Sequence, residues 1–295
     1  MTAPLFTALV DDAGLFPPEE LPMPAAVARY RADSAAAHPV PTGRFLCPAT
    51  RLPELVAALD PADHLDLGLI TPVDGDTARR ALERLAAEPR LRLAATEGPL
   101  PAADTRAEAA RDAVAAVRRL ADLLPEGLTH HAEVPITGDW REALPVLADA
   151  GLGAKVRCGG VRAELFPTVA RLADFVHACA RLELPFKATA GLHNAVRHRD
   201  PRTGFTHHGF LNLLLALCRA VDGGTPEDVA AVLAATDATA LAEQARAVDT
   251  VTAGRARALL VAYGSCSTRE PIDDLRSLGL FTDTGPHTPN METPA

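Results

Sequence analysis

Short apolar runs alternate with amphipathic stretches eight times along this chain, and few folds accommodate such a pattern. The apolar runs fall at 5–10, 44–47, 65–70, 91–95, 130–134, 154–157, 185–189 and 258–263. Helical spacing is read near 24–32, 52–59, 76–87, 106–124, 140–150, 168–182, 210–221, 226–234, 238–249 and 271–278. Strand followed by helix, repeated, implies parallel strands. Eight such units predict a closed (β/α)8 TIM barrel of the α/β class. An open doubly wound sheet is the alternative, but no GxGxxG follows the first strand, which weighs against a dinucleotide-binding form. A single domain is expected over 1–280. The Thr/Pro-rich segment 281–295 is expected to be a disordered tail.

The length of 295 residues suits one barrel, and 48% hydrophobic residues with only 4% aromatics predict an aliphatic core. A net charge of −9 without a basic cluster argues against nucleic acid or an anionic membrane as partner. A small-molecule substrate is the partner expected, with a homo-oligomer left open. No stretch reaches the roughly 20 apolar residues of a membrane span. The amino-terminal MTAPLFTALVDDAGLF lacks the basic and apolar regions of a signal peptide. Five cysteines without a CxxC pair fit a reducing compartment. A cytoplasmic location is therefore expected.

Lysine occurs at two positions only, Lys155 and Lys187, leaving 27 of the 29 basic residues as arginine. Both lysines lie in apolar, strand-like segments, AKVRCGG and PFKATAGLH. An arginine is always protonated, whereas a buried lysine shifts its pKa and can serve as nucleophile or base. The plainer alternative is a pair of strand-end lysines extending to water. Side chains alternate along a strand, so Lys155 shares a face with Arg157, and Lys187 with Thr189. On adjacent strands about 4.8 Å apart the two amines become neighbours. A second cation and a low-dielectric surround both disfavour an ammonium, so one lysine can attack a carbonyl.

Active sites of such barrels lie at the carboxyl ends of the strands. The polar residues expected there include Asp11, Glu97, Glu133, Lys155, Arg157, Lys187, Thr189 and Ser265. Glu97 and Glu133 are candidate proton carriers beside the lysines. Arg157 is a candidate anion clamp or a partner for Glu133.

The lysine-bearing segments resemble those of deoxyribose-phosphate aldolase, a class I aldolase of barrel fold. KATAG at Lys187 is close to that family's seventh-strand pattern, and KVRCGG at Lys155 is a looser match to the sixth. The resemblance covers roughly 150–193. It implies a Schiff base on Lys155 and no cofactor. It does not extend to the fourth strand, where Thr96-Glu97 stands in place of that family's aspartate. The whole chain, through DDAGLFPP, GSC and EPIDDL, also resembles a bacterial family that implies no particular activity.

The loop HNAVRHRDPRTGFTHHGF carries His193, His198, His207 and His208. It is read either as a lid or anion clamp over the barrel mouth, with His207 and His208 near a helix amino end, or as an ordinary polar loop. No HxH, HExxH or CxxC spacing is present, so no metal is assigned. Cys158 and Cys266 are candidate nucleophiles or small buried hydrophobes.

The function expected is a carbon–carbon lyase, aldolase-like, acting on a small carbonyl compound that carries a phosphate or carboxylate. Its catalytic residues would be Lys155, Lys187, Glu97 and Glu133. Substrate contacts would come from Arg157, Thr189, His193, His207, His208, Ser265 and Asp11. The alternatives are an isomerase or metal-assisted lyase using the lysines as base and electrophile, and a non-catalytic ligand-binding barrel.

Overall fold

The computed structural model describes residues 4–281, apart from 73, 101–111, 113, 116, 120–121, 123, 126 and 137–139. Eight parallel strands close into a barrel: β1 (Val10–Asp12), β2 (Pro41–Pro48), β3 (Leu65–Ile70), β4 (Leu91–Pro99), β5 (His130–Glu133), β6 (Gly153–Arg157), β7 (Phe186–Thr189) and β10 (Leu260–Ser265). β1 closes the ring by pairing with both β10 and β2. Two short strands, β8 (His198–Arg199) and β9 (Thr206–His207), form a separate antiparallel hairpin. The chain is thus a (β/α)8 TIM barrel.

Strand periodicity sorts side chains between bore and helices. Ala154 and Val156 of β6 join the outer core with Leu172, Phe175 and Val176. Phe45 and Cys47 of β2 join Leu67, Leu69, Met23, Leu52 and Leu55. The intervening residues, Lys155 and Arg157 on β6 and Arg44 and Leu46 on β2, are left to the bore. Helix Val169–Arg181 shows why the outer layer forms. Its start is capped by Thr168, whose Oγ1 accepts from Arg171 N, and Leu172, Phe175, Val176 and Cys179 make one buried stripe. Helix Gly75–Ala86 is capped likewise by Asp74.

Several elements differ from their sequence expectation. The first strand starts only at Val10. Before it, Pro4–Phe6 form a tight turn and Ala8 has φ +49°, so Leu5 and Phe6 are buried ahead of the strand rather than within it. β4 runs on to Pro99, which places Thr96 and Glu97 inside the strand. Helix Thr250–Leu259 was not expected; Thr, Val and Gly mask its pattern, but Asp249 caps it and Thr252, Ala253 and Ala256 bury one side. The hairpin β8–β9 orders part of the long histidine loop. The helix expected near 106–124 lies largely outside the described residues. So does the tail, except Phe281, whose ring rests against His38 with centroids 4.6 Å apart. No helix among the described residues is long and apolar enough to cross a membrane.

Candidate functional site

Lys155 and Lys187 are direct register partners across β6 and β7. Both are buried, at 4% and 1% exposure, and both amines reach into the bore. They meet there through a carboxylate. Glu97 Oε1 lies 3.2 Å from Lys155 Nζ, and its Oε2 lies 2.9 Å from Lys187 Nζ. The chain of charge continues in both directions. Lys155 Nζ is 3.1 Å from Glu133 Oε2, and Glu133 Oε1 accepts from Arg157 Nε at 2.9 Å. Lys187 Nζ is 2.6 Å from Asp11 Oδ2, and Asp11 Oδ1 accepts from Arg44 Nε at 2.8 Å. Seven residues therefore alternate in sign across the bore: Arg157, Glu133, Lys155, Glu97, Lys187, Asp11, Arg44.

A bulge makes the far end of this row. Val10 pairs with Pro41 and Asp12 with Phe45, so β2 advances four residues while β1 advances two. Gly43, with φ +75°, absorbs the excess. Thr42 Oγ1 and Arg44 Nε are thereby both brought onto Asp11 Oδ1, the former at 2.6 Å.

The row sets its own protonation states. Burial alone would raise the Glu97 carboxyl, but the ammonium groups of Lys155 and Lys187 outweigh it and hold the acid well below the usual range. Asp11 behaves alike, with Lys187 and Arg44 overcoming its burial. Burial would lower Lys187, yet Asp11 and Glu97 together raise it. Lys187 thus remains an ammonium whose charge is met on both sides. The amines are neighbours across the two strands, but Glu97 stands between them, so the expectation that one ammonium acts directly on the other amine is corrected here. Below lie His131 and His130. Burial pushes them down to about 3 and about 4, so both are neutral at pH 7. His130 Nδ1 lies 3.2 Å from Thr96 Oγ1, whereas neither ring nitrogen of His131 has a hydrogen-bond partner among the described residues.

A cavity of about 340 Å³ opens at the carboxyl end of the strands. Its charged floor is Lys155, Glu97, Glu133 and Arg157. Its walls are mainly aliphatic, with Leu46, Ile70 and Leu165 among them. Thr189, His193 and Cys266 complete the rim. Two loops meet tightly beside it. A Cβ on Gly191 would stand 2.8 Å from Gly159 Cα, and Gly191 has φ +71°. Only glycine suits this contact.

Of the residues singled out in the sequence, the cavity brings together Lys155, Glu97, Glu133, Arg157, Thr189 and His193. Lys187 and Asp11 belong to the ion row but not to the cavity wall. His207, in the hairpin, packs at a tilt against Phe166 with centroids 4.8 Å apart. His208 is buried and held between Pro167 O at 2.8 Å and Arg197 at 3.1 Å. Ser265 is buried outside the wall, its hydroxyl without a partner among the described residues. Sequence reasoning missed Arg44, Thr42 and His131. In the sequence Arg44 reads only as the start of a strand, and nothing there announces the bulge that turns it onto Asp11.

Among the described residues, no group of three or more histidine, cysteine, aspartate or glutamate side chains is placed to hold a metal ion. Compared with known proteins, the chain matches no family model and no curated protein.

Proposed function

We propose that this barrel is a carbon–carbon lyase of the class I aldolase type, forming an imine between Lys155 and a small carbonyl substrate. The observation that carries the reading is the position of Lys155. It is the lysine in the cavity wall, and its amine lies between two carboxylates.

Charge counting supports it. With every amine protonated, the row holds four cations and three carboxylates. With a neutral amine at Lys155 it holds three of each, and every carboxylate keeps a cation: Asp11 with Arg44 and Lys187, Glu97 with Lys187, Glu133 with Arg157. An uncompensated buried charge is costly. The amine that faces the cavity is thus the one cation whose charge the rest of the row does not need. That amine then attacks the carbonyl carbon, water departs, and an iminium forms. The restored positive charge lies between Glu97 and Glu133, so the same carboxylates stabilise the intermediate. Glu97 serves as a fixed anion. Glu133, more exposed and 3.1 Å from the amine, moves protons during carbinolamine formation and hydrolysis. Lys187 keeps Glu97 ionised and in place. No cofactor enters this scheme.

The test is reductive trapping. Incubation with acetone, acetaldehyde or pyruvate and cyanoborohydride, followed by peptide mass spectrometry, is expected to modify Lys155. Absence of any adduct across the panel, or an adduct that survives Lys155→Arg, would overturn the reading.

A further inference from the structure

An aldol cleavage needs more than an imine: a base must also take the proton of the β-hydroxyl as the carbon–carbon bond breaks. Glu97 is committed to two ammonium groups, and Glu133 is already assigned the protons of imine formation at Lys155. The cavity offers another group on its rim. His193 lies on the loop after β7, its side chain 22% exposed, and it lines the same cavity as Lys155. Its Nδ1 is engaged, 3.4 Å from Cys266 Sγ and 3.7 Å from Glu270 Oε2. These contacts leave the other ring nitrogen, Nε2, unengaged, on a residue that lines the cavity. The hairpin lies beside it: the His193 and His207 ring centroids are 6.5 Å apart, and His207 and His198 meet at a tilt with centroids 5.3 Å apart.

Resting on the imine reading above, we infer that His193 Nε2 is the base that accepts the β-hydroxyl proton of a β-hydroxy carbonyl substrate. The O–H proton passes to His193, the oxygen becomes the carbonyl of the departing aldehyde, and the electron pair of the broken carbon–carbon bond enters the iminium to give an enamine on Lys155. No oxidant or reductant is involved. Protonation of the enamine and hydrolysis release the second carbonyl product. The imidazolium formed in the first step meets the Glu270 carboxylate 3.7 Å away, so the base has a counter-charge waiting. The resting ring is neutral, as a base must be. Burial first, then His207, His198 and Arg202, lower its pKa against the opposing pull of Asp200. The ligand class is thus a β-hydroxy ketone or aldehyde with its hydroxyl towards the β7 and β10 side of the mouth.

The experiment separates the two half-reactions. Wild type, His193→Gln and Glu270→Gln are compared for cyanoborohydride trapping of acetone at Lys155 and for release of acetaldehyde from 4-hydroxypentan-2-one, followed over pH. His193→Gln is expected to keep trapping within about threefold and to lose cleavage by roughly 100-fold or more. Glu270→Gln is expected to keep trapping within about threefold, to slow cleavage, and to move the acidic limb of the cleavage profile to lower pH.

The sign is set by charge: removing the Glu270 carboxylate lowers the imidazole pKa, so the acidic limb moves to lower pH. Cleavage by His193→Gln within threefold of wild type, an acidic limb unmoved by Glu270→Gln, or wild type that traps acetone yet cleaves no β-hydroxy ketone overturns the role of His193 and leaves the lysine chemistry standing. Wild type that traps no carbonyl compound removes both.

Discussion

Lys155 and Lys187 face each other across β6 and β7, yet the Glu97 carboxylate lies between their amines, 3.2 Å from one and 2.9 Å from the other. The pair is therefore a triad, and its middle member holds the two ends together. Removing that member leaves two buried ammonium groups facing each other. Glu97→Gln is expected to cost about 3 to 5 kcal/mol of stability at pH 7, the usual penalty for breaking a buried pair. Urea unfolding measures it. Adding Lys187→Met should return part of the loss, because one of the two facing cations is gone. If the double variant is no more stable than Glu97→Gln, the coupling described here is absent.

The two lysines should respond differently to arginine. Lys155→Arg keeps a cation beside Glu97 and Glu133 but removes the amine, so trapping is expected to vanish while the fold persists. Lys187, at 1% exposure, has no room for a guanidinium, and Lys187→Arg is expected to cost about 1 to 3 kcal/mol through overpacking. Thermal unfolding beside the trapping assay tells the two apart.

Acid should weaken the barrel before its carboxylates titrate. His131 sits at about 3 and His130 and His208 at about 4, each lowered mainly by burial. Their unfolded forms titrate near 6.5. Between those values the unfolded chain binds more protons, so stability falls as pH falls, by about 1.4 kcal/mol per pH unit for each histidine. Lowered carboxylates such as Glu97 and Asp11 act further down, as pH drops through the ordinary carboxylate range. Urea midpoints at pH 7.0, 6.0 and 5.0 should decline steadily, and His131→Leu should flatten the slope. A flat profile over this window would contradict neutral buried histidines.

The loop contact beside the cavity can be probed at one atom. Gly191→Ala adds a Cβ 2.8 Å from Gly159 Cα at a backbone angle of φ +71°. About 1 to 3 kcal/mol of destabilisation is expected. Because Thr189 and Ala190 line the cavity next to it, trapping at Lys155 should also slow. Unchanged stability would show that the two loops part easily.

Cysteine alkylation offers a map of the cavity. Burial pushes Cys47, Cys158 and Cys218 up to about 12 and Cys266 to about 11. Cys266 alone among these lines the cavity and touches a histidine. N-ethylmaleimide at pH 8.5 should modify Cys266 first, and a ligand in the cavity should protect it. Faster labelling of another cysteine would displace this assignment.

Much of the barrel was legible because period-two and helical patterns are local. β3 and the helices Phe210–Val221 and Pro226–Ala234 fall where their patterns place them. Asp11, Glu97, Glu133 and the two lysines stood out as polar residues within or just beyond apolar strands. What joins them did not. The bulge between β1 and β2 depends on pairing partners far apart in sequence, so Arg44 gave no sign that it would reach Asp11. The place of Glu97 between the lysines depends on the register of β4, which runs on past the residues that read as strand. His131 was visible only as a letter in an apolar run, since its isolation from hydrogen-bond partners is a property of the closed bore.

The bulge at Gly43 also decides when the site comes into being. Asp11 and Arg44 are contributed by the first two strands, and Lys187 by the seventh. A chain opened along the seam between β1 and β10 has no anion from the amino terminus to seat beside Lys187. Its lysines are then ordinary solvated side chains. Chemical competence arrives only with ring closure, so a fragment lacking the first dozen residues should be inert even if the rest of its sheet assembles.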